Sequence, residues 1–171
     1  MKKAYIGIDP GLTGAIAAIM PDLGEVKILP MPISGKEIDV KHISLWINNE
    51  VIFRLDWNYD EENFYIIACI EKVHSMPRQG VSSSFKFGFV TGILHGIFRM
   101  ADIPLYTATP QAWKKEILAG TDKSKQAAID YCLRAYPDIK LFRTEKSRVY
   151  NHNMAEALCI AEYARRKHSV L

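Results

Sequence analysis

Apolar residues in the first part of the chain occur in short runs interrupted by turn residues. Residues 4–8 form an apolar run that stops at Asp9, and further runs cover 15–20 and 25–30. Runs of this length with tight turns between them are typical of β-strands. We therefore expect the chain to begin with a three-stranded antiparallel meander.

Longer segments with apolar residues at helical spacing alternate with two further apolar runs. Residues 64–70 form a near-continuous apolar run that ends at Glu71, as expected for a buried central strand, and 103–107 form another short strand. Helices are expected at 36–49, 84–101, 110–118, 125–136 and 153–167, and loops at 51–63 and 74–83. This order predicts an α/β fold, a mixed sheet of three antiparallel strands plus parallel strands with helices on both faces.

Three carboxylates fall at element ends that such a sheet would bring together. Asp9 ends the first strand, Glu71 ends the buried strand, and Glu156 lies in the first turn of the last helix. Carboxylates crowded at one point repel each other unless a cation neutralises them. Because hard oxygen ligands suit Mg²⁺ or Mn²⁺, the pattern indicates a metal site able to activate water for phosphodiester cleavage.

Each acid has a simpler explanation when it is considered alone. Asp9 could stabilise a turn, Glu71 could pair with Lys72, and Glu156 could interact with the helix dipole. Only the three acids together, on these elements and in this order, favour the metal site.

Charge is unevenly distributed along the chain. Residues 1–108 contain 10 Lys and Arg against 12 Asp and Glu, whereas residues 109–171 contain 12 against 7. A basic C-terminal third suggests a polyanionic partner, although charge alone favours an ordinary solvated basic face.

Composition indicates a globular protein of the reducing cytoplasm. No apolar run approaches the roughly 20 residues of a membrane span, and the N-terminal apolar run is too short for a signal peptide. The three cysteines are widely spaced among apolar neighbours, which favours buried, reduced thiols. We expect one cytoplasmic domain over 1–171 that makes no membrane contact.

Four segments resemble those of one nuclease family. IGIDPGLTGAIA (6–17) resembles the first motif of RuvC-like crossover-junction endodeoxyribonucleases. Residues 70–94 are similar to their second motif and the helix after it, especially in the phage and mobile-element branch. TPQAWKKEI (109–117) resembles their Thr-Pro segment and its Lys, and HNMAEALCIAEYARR (152–166) resembles their terminal acidic helix. In this order, the four segments make the chain similar to Holliday-junction resolvases of ribonuclease H-like fold.

The resemblance implies a Mg²⁺-dependent homodimer that binds four-way DNA junctions and nicks two strands symmetrically in recombination or repair. It assigns metal binding and catalysis to Asp9, Glu71 and Glu156. The family's usual fourth acid has no counterpart, because His152 and Asn153 occupy the turn before Glu156. Helical spacing does not decide between the two, but imidazole chemistry favours His152 as ligand and catalytic residue, with Mn²⁺ preferred to Mg²⁺.

DNA contacts are expected from the loop after Glu71 and from the basic third. His74 replaces an aromatic residue associated with junction opening in some family members, and the loop 74–83 is expected to be mobile and to enter the junction. The candidate DNA-binding residues are His74, Arg78, Gln79, Lys86, Lys114, Lys115, Lys123 and Lys125.

The helix expected from residue 84 carries a candidate dimer interface. Its apolar stripe comprises Phe85, Phe89, Ile93 and Ile97, and its glycines at four-residue spacing are Gly88, Gly92 and Gly96. A two-fold dimer would match a two-fold junction, although the stripe could instead face the protein's own sheet.

Three other functions would account for parts of the sequence. A ribonuclease H-like nuclease acting on flaps or other branched DNA remains open, because the sequence does not distinguish it from a resolvase. Actin-like ATPases and sugar kinases also begin with a strand and Asp-x-Gly, but they need two such domains, too many for 171 residues. A non-catalytic DNA-binding protein would keep the basic third and would not need three converging acids.

Overall fold

The computed structural model of the chain describes residues 1–55, 64–72 and 80–169. The strands are β1 (Lys2–Asp9), β2 (Ala15–Met20), β3 (Glu25–Pro30), β4 (Ile33–Ser34), β5 (Glu37–Ile38), β6 (Phe64–Glu71) and β7 (Leu105–Ala108). The helices are α1 (Val40–Trp46), α2 (Phe53–Leu55), α3 (Val81–Met100), α4 (Pro110–Ile117), α5 (Lys125–Ala135) and α6 (His152–His168). A 3₁₀ turn (Pro21–Leu23) follows β2, and a π-helical segment (Ile47–Ile52) joins α1 to α2.

Five strands form one mixed sheet in the order β3-β2-β1-β6-β7. The first three pair antiparallel, with Tyr5 opposite Ile19, whereas β1, β6 and β7 pair parallel, with Ile8 opposite Ile70. The predicted meander and the predicted parallel addition are both confirmed. The remaining strands, β4 and β5, form a separate two-stranded hairpin.

Helices cover both faces of the sheet, as predicted. Tyr5 points into a core shared with α4, α5 and α6, and the next residue, Ile6, points into a core shared with α1 and α3. Successive side chains of a strand point to opposite faces, so a strand between two cores is apolar at every position. This explains why β1, β2 and β6 read as continuous apolar runs.

Helix α6 crosses β1 at Gly7, where there is no room for a side chain. A β-carbon on Gly7 would overlap the backbone of Ala157 and Ala161. Glu156 directly precedes Ala157 on α6, and Asp9 lies two residues after Gly7 on β1. The close approach therefore brings these two acids to the same end of the sheet.

The predicted helix at 36–49 begins too early. Residues 37 and 38 belong to β5, because Gly35 adopts a left-handed φ of 64° and turns the chain into the β4–β5 hairpin. The helix starts after Asp39, whose side chain accepts a hydrogen bond from His42 N at 2.9 Å. Helical structure then continues to Leu55, so the predicted loop at 51–63 is wrong for 51–55, and 56–63 lie outside the described residues.

The predicted start of the long helix at Ser84 is also wrong. Helix α3 begins at Val81 after Gly80, so residues 81–83 are helical and do not belong to a loop. Serine hydrogen-bonds to nearby backbone groups both at helix starts and in turns, so the composition of this segment did not distinguish a helix from a loop. The rest of the predicted loop, residues 74–79, lies outside the described residues.

The three cysteines are buried and free, as predicted. Within the described ranges, no helix combines the length and the apolarity that a membrane span requires.

Candidate active site

Asp9 and Glu71 end neighbouring parallel strands. The register that pairs Ile8 with Ile70 makes both acids leave the sheet at the same edge. The turn after Asp9 is tight, because Gly14 N donates to Gly11 O at 3.1 Å and a side chain at Gly14 would overlap the Asp9 carbonyl oxygen. The backbone of Asp9 is thus held between β1 and this turn.

Glu156 reaches the same region from α6. The helix is capped by Asn151, whose side chain accepts a hydrogen bond from Met154 N at 3.1 Å. Because α6 begins at His152, Glu156 is its fifth residue and opens the second turn, whereas the sequence placed it in the first.

The three carboxylates influence one another electrostatically. Burial raises the pKa of Asp9 well above its ordinary value, and the charges of Glu156 and Glu71 raise it further. Burial also raises the pKa of Glu71, and Glu156 adds to the shift. Within 1–55, 64–72 and 80–169, however, no three His, Cys, Asp or Glu side chains form a ready-made set of metal ligands. The other acids act on the pKa of Asp9 more strongly than Lys125 and Lys114 do, and Glu156 is the acid that forms an ion pair with a lysine, Lys114.

Two consecutive residues of α4 hold two of the acids. Trp113 Nε1 donates to Glu71 Oε2 at 2.7 Å, and Lys114 Nζ pairs with Glu156 Oε1 at 2.8 Å. The Lys114 ammonium also lies 5.0 Å from the centroid of the Trp113 ring. As predicted, Thr109 caps this helix, its hydroxyl accepting from Ala112 N at 3.2 Å. The start of α4 therefore fixes both partners.

Trp113 is a site residue that the sequence analysis missed. Its ring is fully buried, and a buried indole N–H almost always has an acceptor. The hydrogen bond lowers the pKa of Glu71 against the effect of burial. The available signal was its place directly before Lys114, on a helix already assigned to the site.

His152 and Asn153 have different partners. His152 Nε2 lies 2.8 Å from Lys125 Nζ, so the imidazole accepts a hydrogen bond from the ammonium. Burial and then Lys125 lower the pKa of His152, and Glu156 opposes them. Asn153 instead donates from Nδ2 to Thr13 O at 2.7 Å, in the turn after Asp9.

The other predicted DNA-binding residues divide into three groups. Lys115 and Lys123 are exposed, and Lys123 adopts a left-handed φ of 58° in the turn before α5. Lys86 is exposed on α3, where it lines a groove beside the β4–β5 hairpin instead of the acids. The remaining three, His74, Arg78 and Gln79, lie outside the described residues.

The metal-free Asp9→Asn protein is expected to be more stable than the parent at neutral and alkaline pH. The raised pKa of Asp9 means that ionising this carboxyl destabilises the fold increasingly as pH rises from its unfolded pKa of about 3.9 through the folded value. Thermal unfolding with a chelator should therefore give the variant an advantage in Tm that is larger at about pH 8 than at about pH 5. A difference in Tm between Asp9→Asn and the parent that does not change with pH would contradict the raised pKa of Asp9.

Comparison with known proteins identifies the fold. The sequence matches no protein-family model and no curated protein. RuvC of Thermus thermophilus aligns with a TM-score of 0.55 and 16% identity over 97% of this chain and 96% of its own. The T. thermophilus RuvC in complex with a Holliday junction substrate aligns with a TM-score of 0.53 and 18% identity over 98% of this chain and 97% of its own. The yeast mitochondrial Holliday junction resolvase aligns with a TM-score of 0.50 and 15% identity over 94% of this chain and 77% of its own. The chain has the ribonuclease H-like fold of these resolvases, as the resemblance implied.

Proposed function

We propose that this chain is a metal-dependent, structure-selective DNA endonuclease that resolves four-way junctions by paired nicking in recombination or repair. The observation that carries the proposal is the convergence of Asp9, Glu71 and Glu156 at one sheet edge, bordered by lysines. Burial and the neighbouring carboxylates raise the pKa of Asp9 and of Glu71, which is costly for stability, so the presence of these acids together calls for a function. The fold shared with RuvC, which has been solved in complex with a Holliday junction substrate, supports the same substrate here.

The donor chemistry of the three acids fits Mg²⁺, with Mn²⁺ as a substitute or the preferred ion. We assign Asp9, Glu71 and Glu156 as ligands, with His152 as the fourth. Such a cation, when bound, activates a water molecule and neutralises charge at the scissile phosphate. Glu156 would have to exchange its ion pair with Lys114 for the cation, and His152 would have to release Lys125.

The basic residues around the acids are assigned to DNA phosphates. Lys114 and Lys125 already lie beside the acids and would become available once released. Lys115 and Lys123, which are exposed on the same helical layer, would extend the contact. The assignment of His74, Arg78, Gln79 and Lys86 to DNA stays a prediction from the sequence.

A homodimer formed through α3 belongs to the proposal. Val90, Leu94 and Phe98 of this helix are buried against the sheet, whereas Phe85 is 73% and Phe89 48% exposed. Of the predicted stripe, Ile97 packs into the core and Ile93 is half-buried, so the phenylalanines form its outer part. The three glycines of α3 are exposed with nothing within 4 Å of an added β-carbon, which leaves room for a second helix.

Replacing Phe85 and Phe89 together by Glu is expected to convert the dimer to a monomer, because four buried rings would become four buried charges across a two-fold interface. Sedimentation at micromolar concentration measures the change. Leu45→Glu, at an apolar residue 48% exposed on α1, is the matched control and should leave the dimer intact. A parent protein that sediments as a monomer would contradict the interface.

His152→Ala is expected to reduce cleavage more than Asn153→Ala, because only His152 carries a nitrogen ligand next to Glu156. Its lowered pKa keeps the imidazole neutral at neutral pH, so loss of activity through its protonation is expected below about pH 6.5. His152→Asp should favour Mg²⁺ over Mn²⁺ and remove this acid step from the pH profile. Full activity of His152→Ala with loss in Asn153→Ala would overturn the assignment.

A panel of end-labelled branched DNAs tests the choice of substrate. The proposal expects symmetric nicks in two strands of the four-way junction and slower cleavage of flaps and forks. Equal rates on all branched substrates would favour the general branched-DNA nuclease. Binding of DNA without cleavage in either metal would favour the non-catalytic protein.

A further inference from the structure

Residues 141–151 form a closed loop directly before α6. Asn151 N donates to Leu141 O at 2.7 Å, and the Leu141 side chain is fully buried. The rings of Phe142 and Tyr150 stack with centroids 4.9 Å apart. The two ends of the loop are therefore joined by a backbone hydrogen bond, a core contact and an aromatic pair.

The tip of this loop is also ordered by its own hydrogen bonds. Ser147 N donates to Thr144 O at 3.0 Å, and Thr144 N donates to the Ser147 hydroxyl at 3.3 Å. The two hydroxyl oxygens lie 2.9 Å apart. The segment thus has the character of a compact Ω-loop that packs on itself.

The loop is tied to the turn that follows Asp9. Arg143, near its start, donates to Thr13 O at 3.2 Å, and Asn153, just beyond its end, donates to the same oxygen at 2.7 Å. One carbonyl thus connects both ends of the loop to the turn between β1 and β2. This places the loop beside the edge where the acids converge.

The loop presents positive charge to solvent. Arg143, Lys146 and Arg148 are exposed, and Glu145 is the only acid among residues 142–150. In the part of the chain that the structure describes, neither Lys146 nor Arg148 takes part in an ion pair. Uncompensated cations on a pre-ordered loop bind a polyanion with little loss of conformational entropy.

We propose that the loop 141–151 is a DNA-backbone clamp that holds phosphates flanking the cleaved bond, through Lys146 and Arg148. The inference rests on the proposed function in that the partner is DNA. It adds a second contact surface to the helices α4 and α5. Since contacts to phosphate carry no base information, the clamp acts on any DNA that reaches the acids.

A charge-matched pair of double variants tests the clamp. Lys146→Gln/Arg148→Gln is compared with Lys36→Gln/Lys41→Gln, which removes the same charge from exposed positions outside this loop. Fluorescence anisotropy in chelator, with a labelled four-way junction and a linear duplex, gives affinity from about 50 to 200 mM salt. The loop variant is expected to bind both DNAs about tenfold or more weakly. Its plot of log affinity against log salt concentration should be shallower, with the magnitude of the slope reduced by about 1.8.

Equal effects of the two double variants, or a loop variant with the parental slope, would overturn the clamp. Thermal unfolding confirms that each variant keeps the parental fold. If the parent protein cuts no DNA with Mg²⁺ or Mn²⁺ while the loop variant still shows a weaker salt dependence of DNA affinity, the clamp stands and the nuclease proposal fails. If the parent cuts junctions and the loop variant binds as the parent does, the clamp alone fails.

Discussion

Asp9→Asn, Glu71→Gln and Glu156→Gln are each expected to lower junction cleavage about a thousandfold or more while junction binding persists. Each substitution keeps the size of the side chain and removes one negative charge from the site where the acids converge. Binding persists because lysine and arginine, and not the acids, are assigned to the phosphates. Single-turnover cleavage and anisotropy with the same labelled junction measure the two quantities.

Glu71→Gln separates charge from positioning most clearly. The amide oxygen of glutamine can still accept the hydrogen bond from Trp113 Nε1, so α4 and β6 keep their contact. A loss of cleavage in this variant therefore reports the missing charge. Glu37→Gln, at an exposed acid in the β4–β5 hairpin, is the control and should cut as the parent does. Near-parental cleavage by any of the three site variants would remove that residue from the site.

Gly7→Ala is expected to destabilise the fold by about 3 kcal/mol, because the added methyl group would overlap the backbone of Ala157 and Ala161. The atoms that the new methyl group would meet belong to the backbone of α6 and not to a side chain that could rotate away. Helix α6 must therefore move away from β1. For a chain of this length the change corresponds to roughly 6–12 °C in Tm. Cleavage should fall as well, since the shift moves Glu156 away from Asp9.

Gly88→Ala is the matched comparison for this prediction. It adds the same methyl group on α3, where nothing in the same protomer lies within 4 Å of the new β-carbon, and both glycine variants are made in the Phe85→Glu/Phe89→Glu protein so that the proposed dimer contact does not contribute. Replacing glycine by alanine inside a helix generally stabilises it by up to about 1 kcal/mol. A Gly7→Ala protein that unfolds within about 2 °C of the parent would contradict the close packing of α6 on β1.

The sheet was predictable from sequence because its strands lie between two cores. Every residue of β2 is buried, and a run of that kind is visible without knowledge of its neighbours. Helix starts were less predictable where local polar residues suit two structures. Gly35 and Asp39 turned part of an expected helix into a hairpin and a cap, and the serines after Gly80 proved helical.

Asp9 and Glu71 could be proposed from sequence because each ends a strand, and Glu156 because it lies near the start of the last helix, whereas the partners of these acids could not be proposed. Lys114 is 42 residues from Glu156, and Trp113 is 42 from Glu71, so nothing local connects them. Which face of α4 meets the acids depends on how the helix packs after β7. The sequence therefore indicated Lys114 as a phosphate contact and gave Trp113 no role.

The measurement that tests the central claim most directly is cleavage of a synthetic four-way junction by the parent protein, with Mg²⁺ and with chelator, beside a linear duplex of the same sequence. The account predicts paired nicks in the junction with Mg²⁺, none with chelator, little cutting of the duplex, and none by Asp9→Asn. Cleavage that persists in chelator or in Asp9→Asn, or a junction left intact with both Mg²⁺ and Mn²⁺, would contradict it.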